Sequence, residues 1–169
     1  MIEIRVMIAN GGDTMGYRDR ALDVIQRVNH LFLHELNLEM SVTNWDFRRD
    51  TPTVIPEGTM AYRSLSMVDR SEVVLAIFGP TVPKITRKEM WHAFERRRAG
   101  DAVDVWTFVD PRKLGKVHTD YFGKIKKEFH EEIVWTEYRN KSDFQGTMFT
   151  TMFRYLIGRG GAKFPGTAA

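Results

Sequence analysis

Glu72-Val73-Val74-Leu75-Ala76-Ile77-Phe78-Gly79 decides the fold. Its core is six consecutive apolar residues between a charge and a glycine. Such a run fits a strand buried on both faces, in the middle of a parallel sheet. Leu38–Thr43 reads differently: Leu38, Met40 and Val42 alternate with Glu39, Ser41 and Thr43, as expected of a strand at an edge or covered on one face. Ile2–Ala9, Val103–Val109 and Ile133-Val134-Trp135 complete five strand-like segments. Helix-like segments follow them at Tyr17–Leu36, Thr59–Val68, Arg87–Ala99, Thr119–Phe129 and Asp143–Leu156. In the first, Leu22, Ile25, Val28, Phe32 and Leu36 recur at helical spacing; in the last, Phe144, Met148, Met152 and Phe153 form an apolar stripe expected to face the core. Asn44–Glu57 is polar, holds Pro52 and Pro56, and reads as a long loop.

Alternating strands and helices predict one α/β domain with a mostly parallel five-stranded sheet and helices on both faces. An edge-like second strand beside a doubly buried third makes the flavodoxin-like order 2-1-3-4-5 the simplest arrangement. The domain is expected over 1–158, closed by Gly158, Gly160 and Gly161, with 159–169 a flexible tail.

Composition narrows the function. With 43% hydrophobic and 12% aromatic residues in 169, the chain can bury a core. No apolar run approaches the ~20 residues of a membrane span. Neither a leader nor a membrane partner is expected, and the expected location is the cytoplasm. The absence of cysteine excludes disulfide scaffolds, thiol nucleophiles and iron–sulfur sites. His30 and His34 are an i, i+4 pair without carboxylate support, so no metal is expected. Net charge is +3, yet residues 84–127 hold 12 basic and 6 acidic groups. This local excess reads first as solvated helix faces; nucleic acid is not an expected partner, because aromatics are not interleaved with the charges.

In the 2-1-3-4-5 order, ligands bind above the C-terminal ends of the first and third strands. Two loops meet there, Asn10–Gly16 and Gly79–Thr86. Gly11 and Gly12 let the backbone approach a phosphate, although neither a dinucleotide fingerprint nor a G-x-x-x-x-G-K-[ST] motif is present. Asp13 reads as a cap of the first helix or as a ribose ligand. Thr86-x-x-Glu89 matches a capping box, in which Thr86 bonds the Glu89 amide and Glu89 reaches back. The functional reading of the same residues places Glu89 against a sugar, where a carboxylate stabilises the cationic transition state of N-glycosidic cleavage. Glycoside hydrolysis normally takes two carboxylates. Nicotinamide on NAD is already cationic and leaves neutral, so one is enough.

These residues carry a resemblance. Arg5-Val6-Met7-Ile8-Ala9 with Gly12-Asp13, Tyr17-Arg18-Asp19, Val28-Asn29, Trp45 with Asp50 and Pro52, the Glu72–Gly79 strand, Thr86-x-x-Glu89 with Ala93, and Gly100 resemble the TIR-like domains of bacteria linked to antiphage defence. The resemblance covers roughly Ile4–Pro111 and implies hydrolysis or cyclisation of NAD, with Glu89 at the position of the catalytic glutamate. It further implies no tightly bound cofactor, NAD or a related nucleotide as substrate, and self-association or a partner effector protein. Substrate-binding positions are expected at Asn10, Gly11, Gly12, Asp13, Arg18, Trp45, Gly79 and Thr86. Where the family usually has glycine before the threonine, this chain has Ile85. Two alternatives stand beside this reading: a catalytically inactive interaction or assembly module, and a nucleoside deoxyribosyltransferase-like enzyme. Trp91, Phe94 and Phe129 fit an assembly interface or core packing equally well.

Overall fold

The computed structural model describes residues 2–33, 38–43, 59–112, 114–129 and 133–160. Strands β1 (Ile2–Asn10), β2 (Leu38–Thr43), β3 (Val73–Phe78), β4 (Asp104–Val109) and β5 (Ile133–Glu137) form one sheet in the order β2-β1-β3-β4-β5. Every neighbouring pair is parallel. The α-helices are α1 (Met15–Val28), α2 (Thr59–Asp69), α3 (Lys84–Arg98), α4 (Lys116–Glu128) and α5 (Lys141–Gly160). Fold class and strand order are as the sequence pattern predicts.

Polarity explains each strand's place. All six residues of β3 are buried, with Leu75 opposite Ile8 of β1 on one side and Trp106 of β4 on the other. Successive side chains enter two cores. Val73, Leu75 and Ile77 pack with Ala21, Ile25, Phe144 and Met148 of α1 and α5. Val74, Ala76 and Phe78 pack with Met90, Ala93 and Phe94 of α3 and with Phe122 of α4. At the edge, β2 buries only Met40 fully. The Asn29 side chain clamps that residue: its Nδ2 donates to the Met40 carbonyl at 2.9 Å, and its Oδ1 accepts from the Met40 N–H at 3.0 Å. Two backbone groups of an edge strand are thereby satisfied.

Several expected boundaries move. The first helix runs from Met15 to Val28 and is followed by a π turn over Asn29–Leu33; the end of the expected segment, up to Leu36, lies outside the described residues. The third starts at Lys84, three residues early, because Pro83 sits at φ −58° and its carbonyl accepts the Arg87 N–H at 3.0 Å. That helix ends at Arg98 with Ala99 as its C-cap, and Gly100, at a φ of +97° that suits glycine, turns the chain away. In α5, Phe144, Met148 and Met152 are buried as expected, but Phe153 is 39% exposed and turns outward. The helix passes through Gly158 and closes at Gly160. Of the two readings of Trp91, Phe94 and Phe129, core packing holds for Phe94 and Phe129, which are buried and stacked at 4.6 Å, and only Trp91 is exposed. The Asn44–Glu57 loop, Trp45, His34 and the tail over 161–169 lie outside the described residues. Among the described residues, no helix is long and apolar enough to cross a membrane.

Candidate functional site

β1 is flanked by β2 and β3, so the chain reverses its direction of travel across the sheet there. A cavity of about 330 Å³ opens at that point. β1 and the turn after it supply Met7, Asn10, Gly11 and Gly12; α2 supplies Ser64; Pro83 and the first turns of α3 supply Lys84, Ile85, Thr86 and Glu89. Most of the wall is apolar, and a few polar groups converge on it, as small-molecule sites require.

Close packing of the two loops shapes the cleft. A Cβ on Gly11 would lie 2.4 Å from Pro83 Cγ, and one on Gly79 would lie 2.8 Å from the Thr14 methyl. Gly11→Ala is therefore expected to push Pro83 and the start of α3 away, at a cost of about 1–3 kcal/mol in chemical denaturation. A variant as stable as the parent would show that the loops are not so tightly apposed.

Glu89 is the chemically distinctive group. Its side chain lies on the buried side of α3, 6% exposed, and burial raises its carboxyl from 4.5 to about 7. The Ser64 hydroxyl opposes this rise by donating a hydrogen bond to the carboxylate. No capping box forms at Thr86-x-x-Glu89, contrary to its sequence match. Pro83 is the N-cap, and Thr86 is the third residue of the helix, so it cannot hold the helix start. Instead the i, i+3 spacing sets Thr86 and Glu89 side by side on one face, and both line the cavity.

The expected binding residues divide. Asn10, Gly11, Gly12 and Thr86 meet Glu89 around the cavity. The Asn10 Nδ2 donates to the Gly11 carbonyl at 2.9 Å, which fixes its amide at the rim. Asp13 and Gly79 do not line it. The Asp13 Oδ2 accepts from the Thr81 N–H at 2.9 Å and the Thr81 hydroxyl at 2.8 Å, so it ties the two loops together and caps no helix. Gly79 is the buried seat of Thr14. Arg18 also lies away from the cavity, 5% exposed on α1 and paired with Asp19 at 3.1 Å. Trp45 is outside the described residues.

Ser64, Lys84 and Ile85 were not expected as site residues. Helical spacing offered one signal for Ser64: it stands four residues before Val68, and both are buried. Removing its hydroxyl should raise the Glu89 pKa further. Carbon NMR of labelled glutamate in Ser64→Ala is expected to show titration above that of the parent, and an unchanged titration would remove Ser64 from the site.

No family model and no curated protein matches the chain. Among solved structures, the chain is similar to the Clostridium botulinum CMP N-glycosidase BcmB, at 12% identity over 85% of this chain and 97% of that one, with a TM-score of 0.49. It is also similar to Staphylococcus aureus homoserine dehydrogenase, at 13% identity and a TM-score of 0.48. That match covers 83% of this chain and 33% of the dehydrogenase chain.

Proposed function

We propose that the chain is a TIR-like enzyme that cleaves the N-glycosidic bond between nicotinamide and ribose in NAD, by hydrolysis or cyclisation, in a bacterial defence or nucleotide-signalling system. One observation carries this reading. Glu89 is a buried carboxyl at the switch-point cavity, free of helix capping, with its pKa raised to about 7. Perturbed carboxyls in clefts mark candidate chemical sites.

The chemistry follows from charge. As the C1′–N bond breaks, its electron pair passes to the nicotinamide nitrogen, which leaves neutral, and positive charge moves to the ribosyl carbon and ring oxygen. The Glu89 carboxylate, held in an apolar wall by Ser64, offsets that charge where water screens it little. Water then adds at C1′ and releases a proton, or a nucleophile of the same molecule adds and closes a ring. Gly11, Gly12 and the Lys84 ammonium at the rim offer N–H groups and a cation for the phosphates. NAD is the substrate on this reading, and no tightly bound cofactor takes part. The enzyme works in the cytoplasm and is switched on by self-association or by a partner effector.

A second reading, transfer of deoxyribose between bases, draws on the cavity's size: about 330 Å³ lies at the low end for small-molecule sites and suits a nucleoside. Incubating the concentrated protein with NAD, and separately with a deoxynucleoside plus a free base, decides between them. Nicotinamide release from NAD is expected. Base exchange without nicotinamide release would replace the first reading with the second, and neither product at any protein concentration would favour an assembly module.

A further inference from the structure

Within the basic segment over 84–127, two groups of charge stand apart. Arg96, Arg98, Arg112 and Lys126 are ion-paired with Asp101, Glu128, Asp110 and Glu137 at 3.0–3.4 Å, and Arg97 is paired with Asp104. Lys84, Arg87 and Lys88 form no ion pair among the described residues. These three share a groove of about 490 Å³ on the outer side of α3. Trp91, 38% exposed, lies one turn further along, and Tyr121 of α4 forms part of the groove wall. Trp91 stands near the three cations in sequence, and the fold brings Tyr121 of α4 to them.

The groove is organised for a ligand with a charge and a ring. Trp91 is held by its Nε1–H donating to Glu95 at 3.1 Å and by edge contacts with Phe94 and Phe129. The Arg87 guanidinium lies over the Tyr121 ring at 5.5 Å, and its buried Nε has no hydrogen-bond partner among the described residues. Facing acids are few: Glu95 accepts from Trp91, and Asp69 is engaged by His92 Nε2 at 2.7 Å. Three unpaired cations beside an exposed indole suit phosphates joined to a planar base. The groove also adjoins the Glu89 cavity. Lys84 lines both, and the consecutive residues Ser64 and Leu65 of α2 line one each.

We propose that this groove is a nucleotide subsite that takes the distal phosphate and second base of the dinucleotide whose glycosidic bond faces Glu89; this inference rests on the NAD reading of that cavity. A cavity of about 330 Å³ holds one nucleoside half, and the groove of about 490 Å³ accommodates the remainder. The subsite selects dinucleotides over free nucleosides.

Calorimetry on Glu89→Gln protein, which leaves NAD intact, tests it with NAD, AMP and nicotinamide riboside as probes. Adding Trp91→Ala is expected to weaken NAD and AMP roughly tenfold or more, the scale of one lost base stack. Trp91→Phe keeps a ring and should restore most of the affinity, and Lys88→Glu should weaken both phosphate-bearing probes without touching the hydrophobic contacts. Riboside affinity should stay within about twofold of the parent, well under the tenfold that 1.4 kcal/mol represents. NAD affinity unchanged by both Trp91→Ala and Lys88→Glu would overturn the subsite, as would an equal loss for the riboside. If AMP alone bound and weakened in these variants, the groove would stand as a nucleotide site while the NAD reading of the Glu89 cavity would fall.

Discussion

Glu89→Gln is expected to lower nicotinamide release from NAD by at least ~100-fold, the scale on which single preorganised electrostatic groups act, while making the fold more stable at pH 8. The two effects share one cause. Burial holds the Glu89 carboxyl at about 7, against 4.5 for an ordinary glutamate. Between those values the native protein keeps the proton that the unfolded chain releases, so stability falls as pH rises through the window. It stays lower above pH 7, by about 3 kcal/mol in all. Glutamine does not titrate, so the variant's advantage is absent near pH 4 and complete at pH 8. Denaturant unfolding at both pH values measures this directly. A variant that keeps full activity removes Glu89 from the chemistry. One equally active and destabilised would return it to a structural role.

Leu75→Ala is expected to cost ~2–5 kcal/mol, as buried leucine truncations do. Leu75 is fully buried at the centre of β3, between Ile8 and Trp106 in the sheet and in the core shared with α1 and α5. Few neighbours there can collapse into the gap, because a backbone strand lies on either side. Urea unfolding provides the test, with Leu38→Ala on the half-buried edge strand as the comparison that should lose less. A Leu75→Ala loss below that of Leu38→Ala would contradict the buried-centre assignment.

The sheet was legible in the sequence because burial on two faces and burial on one leave different patterns. Val73–Phe78 shows continuous apolarity and Leu38–Thr43 alternation, and their central and edge places follow. The turn residues Asn10, Gly11 and Gly12 were legible at the cavity for a related reason, since the strand order fixes where a crevice opens. The face of α3 was ambiguous. Spacing of i, i+3 is both the signature of a capping box and the geometry of two neighbours on a helix side, and only the position of Pro83 decides between them. Asp13 illustrates a different limit. Its partner, Thr81, is 68 residues away, and no local pattern reports a bond between two loops. Ser64 shares that limit, since its link to Glu89 depends on how α2 packs against α3. Charge pairing in the 84–127 segment is likewise a property of the fold: the lysines and arginines look alike in sequence and separate only once their partners are placed.

The most direct test of Glu89 as the reacting carboxylate is the pH dependence of nicotinamide release from NAD between pH 5.5 and 8.5. Because the ionised form acts, the rate is expected to rise as pH increases and to level off above an apparent pKa near 7, the value that burial gives Glu89. The same profile in Glu89→Gln should lose that rise. A parent rate that falls with increasing pH, or a flat profile, would contradict the ionised Glu89 carboxylate as the reacting form.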